Sequence, residues 1–243
     1  MENAVNPSPL SLIPGRLDSI RGSLPSGVRL LAVSKFHPAE AVMAAYDCGQ
    51  RLFGENRPQE LSAKAPLLPP DIEWHFLGHL QTNKLRMVLP FADLVQSMDS
   101  LHLLEAVCAY VRRGGAIRCP ERGKVSVLLE LHLGAEQTKG GFSAEEILSV
   151  ISNREFYPEV EIRGLMGMAT NTSDGEVVEG DFSRIEALFH SIRDAHSEDE
   201  GFLSTFRELS IGMSSDYPLA IRHSSTMVRI GTSIFGERDY PGK

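Results

Sequence analysis

Short apolar runs alternate with longer segments of helical periodicity along the chain. Runs rich in β-branched and apolar residues predict strands, and apolar residues three and four positions apart predict amphipathic helices. The clearest run is KVSVLLELHL at 124–133, and the segment after it opens with Ser143-Ala144-Glu145-Glu146, a capping-box pattern that predicts a helix start. The predicted strands are 29–35, 52–56, 74–79, 93–97, 124–133, 162–169, 208–213 and 227–235.

About eight strands, each followed by a helix, predict a closed α/β architecture, the (β/α)8 TIM barrel. Such barrels typically have about 250 residues, and this chain has 243. One more helix, over 9–23, precedes the first strand. An open doubly wound sheet is the alternative, but it usually has fewer units, and no Gly-x-Gly-x-x-Gly follows the first strand. No linker divides the chain, so we expect a single barrel domain over 1–243.

Composition narrows the class of protein. Apolar residues make up 42% and charged residues 23%, as in ordinary soluble domains. The net charge of −8 argues against a nucleic-acid partner, and no apolar run is long enough to span a bilayer. The first residues lack the basic and apolar regions of a signal peptide. The three cysteines are widely spaced and show no metal-like pairing. We therefore expect a cytoplasmic protein that contacts neither nucleic acid nor membrane.

Lys35 is the first candidate for chemistry, because it closes the apolar run that predicts the first strand. Burial disfavours the charged ammonium, which lowers the pKa of a lysine and makes its amine a nucleophile for an aldehyde. The alternative is a strand-end lysine that extends into solvent. The far end of the chain favours the first interpretation, because Arg229 to Thr232 closes another apolar strand with groups suited to a phosphorylated ring.

The predicted barrel gives these residues a common location. Active sites of this fold lie at the carboxyl ends of the strands, and phosphate often binds in the loops after strands seven and eight. Those loops contain Ser214 and Ser215 in one case and Gly231 in the other. Taken singly, Ser215 is only a helix N-cap and Gly231 only a turn. Their joint position favours a phosphate site.

Two histidines of the third strand have simpler interpretations. His75 and His79 share one face with Glu73, but the spacing matches no strong metal signature, so we expect no metal. His75 is expected to be a hydrogen-bonded histidine in the barrel interior, and His79 a rim group. The Met-rich strand at 165–168 is expected to serve barrel packing.

Six blocks spread over essentially the whole chain, several of them long, resemble one known family. They are AVSK (32–35), FGEN (53–56) with Gln59-Glu60, WHFLGHLQTNK (74–84), KGGF (139–142), GLMGMAT (164–170) and GMSSDYPLAIRHSSTMVRIGTSIFGER (212–238). In these blocks the chain resembles the YggS/PROSC family of pyridoxal 5′-phosphate (PLP) binding, or PLP homeostasis, proteins. That family is related in fold to the N-terminal barrel of alanine racemase, fold type III among PLP proteins.

The resemblance implies a cofactor site. Lys35 would carry PLP as a Schiff base, and Arg229 would face the pyridine nitrogen. An arginine donates a hydrogen bond but keeps its proton, so the ring would be a weak electron sink. The remaining residues are implied near the phosphate (Ser214, Gly231 and Thr232) and near the ring (Asn56, Met166 and Met168).

The chain departs from the family pattern at a few positions. Phe36-His37 replaces a common Thr-Lys pair, Arg57-Pro58 a Tyr-Val pair, and His223-Ser224 a His-Gly pair. The loop LHLGAEQTKGGF diverges at its first positions. None of these departures touches the implied lysine, arginine or phosphate positions.

Three functions are compatible with this pattern. The first is a PLP-binding homeostasis protein with little or no catalysis, which binds PLP and delivers it to PLP-dependent apoenzymes. The second is a PLP-dependent amino-acid racemase, which needs a second acid or base on the opposite face of the ring. Because the chain ends soon after the last strand, we expect no added domain to supply that group, and we expect a monomer. The third is an aldolase for phosphorylated sugars, which the arginine at 229 disfavours.

Overall fold

The computed structural model describes residues 9–134 and 140–237. Within them, eight parallel strands hydrogen-bond in chain order and close into a barrel, β1 pairing with both β2 and β8. The predicted closed barrel is therefore confirmed. The strands are β1 Arg29–Val33, β2 Leu52–Glu55, β3 Glu73–Phe76, β4 Leu94–Met98, β5 Val125–Leu131, β6 Val160–Gly167, β7 Glu208–Met213 and β8 Met227–Ile230.

Helices follow the strands on the outside of the barrel. The predicted extra helix precedes β1, and the capping box at Ser143 is present with both of its hydrogen bonds. The helices are α1 Ile13–Ser23, α2 Ala39–Asp47, α3 Pro58–Lys64, α4 Leu85–Val88, α5 Leu101–Arg112, α6 Ala144–Ser152, α7 Gly175–Ala195, α8 Glu200–Thr205, α9 Tyr217–Arg222 and α10 Thr232–Phe235. None of the described helices has the length and hydropathy to cross a membrane.

Several element boundaries differ from those that the sequence predicts, most clearly at the end of the barrel. The sequence predicts a last strand that continues to 235, but the strand ends at Ile230 and the chain turns into α10. The apolar residues of α10, Ile234 and Phe235, are buried in the main core, and the Arg16 side chain of α1 donates to the Ile234 carbonyl. Tertiary packing of this apolar segment as a helix overrides its strand-like composition. The N-cap of α9 is Asp216 and not Ser215.

Each strand has two different buried faces. The outward residues join the helices in one large apolar core, which includes Ala32, Phe53 and Trp74. The inward residues form two small apolar clusters, Leu31 with Val33, Leu52 and Met227, and Leu94 with Leu128 and Met166. Alternation along a strand produces these two faces. The strands also carry buried polar side chains, among them His75, Gln96 and Ser210, which hydrogen-bond to one another.

Candidate functional site

The predicted site residues all lie at the carboxyl end of the barrel. Lys35 and Asn56 follow β1 and β2, Ser214 follows β7, and Arg229 with Gly231 and Thr232 ends β8 and starts α10. Met166 and Met168 lie at the end of β6. Met166 is buried in an inner apolar cluster, whereas Met168 is 44% exposed at the rim. The fold brings the strands that carry these residues together, and their roles toward a cofactor stay predictions.

Lys35 lies in a turn and not inside a strand. The strand ends at Val33, and the His37 N–H donates to the Ser34 carbonyl at 3.1 Å, so Lys35 and Phe36 are the two central residues of the turn. Phe36 has φ of 66°, in the left-handed region that bulky residues rarely adopt. This position of a turn usually belongs to glycine or asparagine. The residue after Lys35 is therefore strained, and it is held by its surroundings.

Two departures from the family pattern meet at this turn. The guanidinium of Arg57 lies 4.2 Å from the centre of the Phe36 ring, a cation–π contact. The Phe36 N–H donates to Glu60 Oε2 at 2.8 Å, and Arg57 Nε lies 3.9 Å from Glu60 Oε1. Two of the residues that depart from the family pattern, Phe36 and Arg57, are thus in contact with each other beside Lys35.

Asn56 directly follows β2 and carries a buried acceptor. Asn56 Oδ1 is buried and has no hydrogen-bond partner among the described residues. Gly78 allows the next strand end to approach, because a Cβ at this position would lie 2.0 Å from the Asn56 carbonyl oxygen. A buried polar atom without a partner is costly, so Asn56 is suited to contact a polar ligand.

Arg229 is the central cation of the site. It is 5% exposed, and its guanidinium donates to the Ser210 carbonyl, to Ser210 Oγ at 2.8 Å and to the Gly167 carbonyl at 2.9 Å. Burial lowers the pKa of Arg229 to about 10, opposed by the negative charges of Glu130 and Asp216. It therefore remains a cation at neutral pH. Bonds to two different strands, β6 and β7, fix its plane.

A chain of hydrogen bonds runs from Arg229 down through the barrel interior. Ser210 Oγ accepts from Arg229 and donates to Gln96 Oε1 at 2.7 Å. Gln96 Nε2 donates to His75 Nδ1 at 2.7 Å, so the ring proton of His75 is on Nε2. This Nε2–H donates a hydrogen bond to Glu73 Oε1 at 3.0 Å. Every donor in the chain points away from the mouth. Its buried members stabilise one orientation of the arginine.

The lower end of this chain is anchored by charge. Arg29 binds both carboxylate oxygens of Glu73 at 2.7 Å and approaches Glu208 at 3.4 Å. Burial opposes ionisation, but hydrogen bonds from His75 and Arg29 lower the pKa of Glu73 to about 2. Burial lowers the pKa of His75. The prediction of a hydrogen-bonded interior histidine at His75 is confirmed.

The loops after β7 and β8 lie beside Arg229. Ser214 is half-buried in a turn that is closed by the Asp216 N–H donating to the Met213 carbonyl at 3.1 Å. The structure gives a reason for glycine at 231 that the sequence did not indicate. A Cβ at this position would lie 3.1 Å from the Val33 carbonyl oxygen. Since Thr232 begins α10, the first N–H groups of that helix have no partner within it. The loops can present hydroxyl and N–H donors to an anion.

Sequence reasoning missed an acidic side of the mouth. Glu130 is half-buried at the end of β5, and burial together with nearby Asp99 raises its pKa to about 7. His79 Nδ1 and Asp99 Oδ2 lie 2.7 Å apart, and the His79 side chain is 71% exposed, as expected for a rim group. The available signal was the single acidic residue within the apolar run KVSVLLELHL. Lys139 of the KGGF block lies outside the described residues.

The fold and the site define a barrel of the alanine racemase type. The family model "Alanine racemase, N-terminal domain" matches residues 11–239. Among solved structures, that of PipY from Synechococcus elongatus with PLP bound has a TM-score of 0.79 and 34% identity, covering 92% of this chain and 100% of PipY.

Curated relatives give the narrower family. The pyridoxal phosphate homeostasis protein of Homo sapiens is 39% identical over 225 residues, covering 88% of this chain and 78% of the human protein. That of Vibrio alginolyticus is 37% identical and covers 90% of each chain. The chain belongs to the pyridoxal phosphate homeostasis protein family.

Proposed function

We propose that this protein binds PLP through Lys35 and acts in PLP homeostasis, with little or no catalysis. Two features at the carboxyl end of the barrel carry the proposal: the buried cation Arg229, and Asn56 Oδ1, which is buried and has no partner among the described residues. A relative that this chain covers in full, PipY, has been solved with PLP bound. Both support a site built for a small polar ring with a phosphate.

The residues present fit this cofactor. Asn56 would contact a polar substituent of the ring, because its oxygen lacks a donor among residues 9–134 and 140–237. Ser214, Gly231 and Thr232 would hold the phosphate by hydroxyl and backbone N–H groups. Met168, at the rim, would cover the ring, and the buried Met166 would support it from below.

Lys35 would provide the covalent link. When bound, PLP supplies an aldehyde that condenses with amines and a ring that withdraws electrons. Lys35 is half-buried at the mouth, and hydrogen bonds hold the residues before and after it in the turn. The backbone position from which its side chain extends is therefore fixed. A fixed amine close to a bound aldehyde gains a large effective concentration. The lysine would thus hold the cofactor firmly and reversibly.

Arg229 would favour retention of the cofactor over turnover. With its pKa at about 10, it stays protonated at neutral pH, so it donates hydrogen bonds and keeps its proton. A ring nitrogen that faces it would stay unprotonated, and such a ring stabilises carbanionic charge less. Arg229 donates to Ser210 Oγ, which donates to Gln96 Oε1, and these hydrogen bonds hold Arg229 as the donor. We further propose that the protein is a monomer that supplies PLP-dependent apoenzymes.

Absorption spectroscopy tests the cofactor claim. Protein mixed with PLP is expected to develop an absorption band in the violet region that borohydride removes. After this reduction, one PLP should be attached to the peptide that contains Lys35. Lys35→Ala should lack the band. Lys124→Ala is the matched control, because Lys124 is exposed at the opposite, amino-terminal end of β5, and it should behave like the wild type. A wild-type protein that stays colourless with PLP would refute the proposal.

A second measurement separates a carrier from an enzyme. The PLP-loaded protein is incubated with L-alanine, and D-alanine is measured by chiral chromatography, beside transfer of PLP to an apoenzyme followed by its regained activity. We expect transfer without racemisation. Racemisation at rates typical of enzymes, above about 1 per second, would support the racemase alternative instead.

A further inference from the structure

The backbone on both sides of Lys35 is tied to a cluster of charged residues, two of them buried and one half-buried. This charged cluster consists of Glu55 at the end of β2 with Glu60 and Lys64 of α3. Lys64 Nζ donates to Glu55 Oε1 at 2.8 Å, to Glu60 Oε2 at 3.0 Å and to the Ser34 carbonyl at 3.1 Å. Three acceptors use all three N–H groups of the ammonium.

The cluster holds the residue before Lys35 and the residue after it. Ser34 is bound twice, because its hydroxyl donates to Glu55 Oε1 at 2.7 Å and its carbonyl accepts from Lys64. The N–H of Phe36 donates to Glu60 Oε2 at 2.8 Å. The strained φ of 66° at Phe36 is thus maintained by a carboxylate that is itself held by Lys64.

Stability alone does not account for these charges. Glu55 is fully buried, its second oxygen has no partner among the described residues, and burial raises its pKa despite the ion pair with Lys64. A buried ion pair is often no more stabilising than a well-packed apolar pair. Strained backbone persists where the surrounding structure enforces it, and such strain is concentrated at functional sites.

We propose that the Glu55–Lys64–Glu60 cluster is a positioning device for Lys35, which sets the turn from which the lysine amine reaches its aldehyde. This inference rests on the proposed function, because it names what prepares Lys35 for PLP. The three residues act through the turn and are positioning residues. Arg57 adds a second cation beside Glu60, which balances the two carboxylates.

The decisive variant is Glu60→Ala, which removes the acceptor of the Phe36 N–H and leaves the Glu55–Lys64 pair in place. We expect the rate of reaction with PLP, followed by stopped-flow absorbance, to fall roughly 10- to 100-fold, as for a reacting group displaced by about 1 Å. Hydrogen exchange at the Phe36 amide should accelerate at least about 10-fold, since the amide loses its carboxylate acceptor. Inorganic phosphate should compete with PLP for the site as strongly in Glu60→Ala as in the wild type.

Three further variants separate loss of this acceptor from loss of any carboxylate. Glu146→Ala removes the same kind of bond, a carboxylate accepting the Ser143 N–H at 2.8 Å, in the capping box of α6. It should leave the PLP reaction rate unchanged. Glu60→Gln keeps an acceptor for Phe36 and should recover most of the rate. The double variant Glu55→Gln/Lys64→Met removes the buried pair without leaving one of its charges unpaired, and it should react as slowly as Glu60→Ala.

The outcomes distinguish this inference from the function on which it depends. A Glu60→Ala protein that reacts with PLP at the wild-type rate and retains Phe36 amide protection would overturn the positioning role and leave PLP binding intact. A wild-type protein that does not react with PLP overturns both. Slow reaction together with lost amide protection in Glu60→Ala, and rescue by Glu60→Gln, supports the inference.

Discussion

Gln96→Leu tests the hydrogen-bonded chain that supports Arg229. Gln96 is fully buried and connects the Ser210 hydroxyl to His75 Nδ1, each at 2.7 Å. Leucine fills a similar volume but offers neither donor nor acceptor. The Ser210 hydroxyl then loses its acceptor and His75 its donor, at about 1–3 kcal/mol each. The gain from burying leucine offsets about 1–2 kcal/mol of this. We therefore expect the free energy of unfolding to fall by about 1–4 kcal/mol.

Urea unfolding provides the assay. Trp74 is the only tryptophan, it is 1% exposed, and it lies next to His75, so its fluorescence reports the loss of this part of the barrel. Gln81→Leu is the matched control, because Gln81 is exposed, and its stability should change by less than about 0.5 kcal/mol. If Gln96→Leu costs less than about 1 kcal/mol at an unchanged slope, the chain does not stabilise the arginine as inferred.

Two further predictions concern the mouth of the barrel. Gly78→Ala places a Cβ about 2 Å from the Asn56 carbonyl oxygen, and its thermal melt should show a loss of stability of about 1–3 kcal/mol. The control Gly22→Ala lies in open space on α1 and should raise stability by about 0.5–1 kcal/mol. Equal effects of the two substitutions would contradict the close approach at Gly78. Burial and nearby Asp99 raise the pKa of Glu130 to about 7, so between the usual carboxyl pKa and pH 7 the folded protein binds a proton that the unfolded chain does not. The stability that this proton contributes is present below the usual carboxyl pKa and is lost as the pH rises through 7. Glu130→Gln should remove this decline between about pH 5 and 7 in urea midpoints, and an unchanged profile would exclude a raised pKa.

The fold could be predicted because its signals are local and repeated. Each strand is a short apolar run and each helix has its own periodicity, so strand count and chain length together indicate a barrel. Predicted boundaries are less accurate where composition and packing disagree. The segment after Gly231 looks like a strand, yet Ile234 and Phe235 meet the main core as a helix. The sequence pattern does not predict the helix α8, since its six residues carry little periodicity.

The sequence by itself determined which chemistry is present. An apolar run ending near a lysine, a second run ending in Arg229-Ile230-Gly231, and polar residues at other strand ends are properties of neighbouring residues in the chain. Because parallel strands place all their carboxyl ends at one end of a barrel, these groups had to face the same mouth. Their residue types also limit the chemistry, since arginine donates hydrogen bonds and keeps its proton.

Only the tertiary structure decided how these groups are supported. Lys64 meets Ser34 across 30 residues of sequence, and Gln96 meets Ser210 across 114. No local pattern predicts such pairs, because they depend on strand register and on which face of each strand turns inward. The bonds that hold Lys35 and Arg229 in place therefore became visible only in the closed barrel.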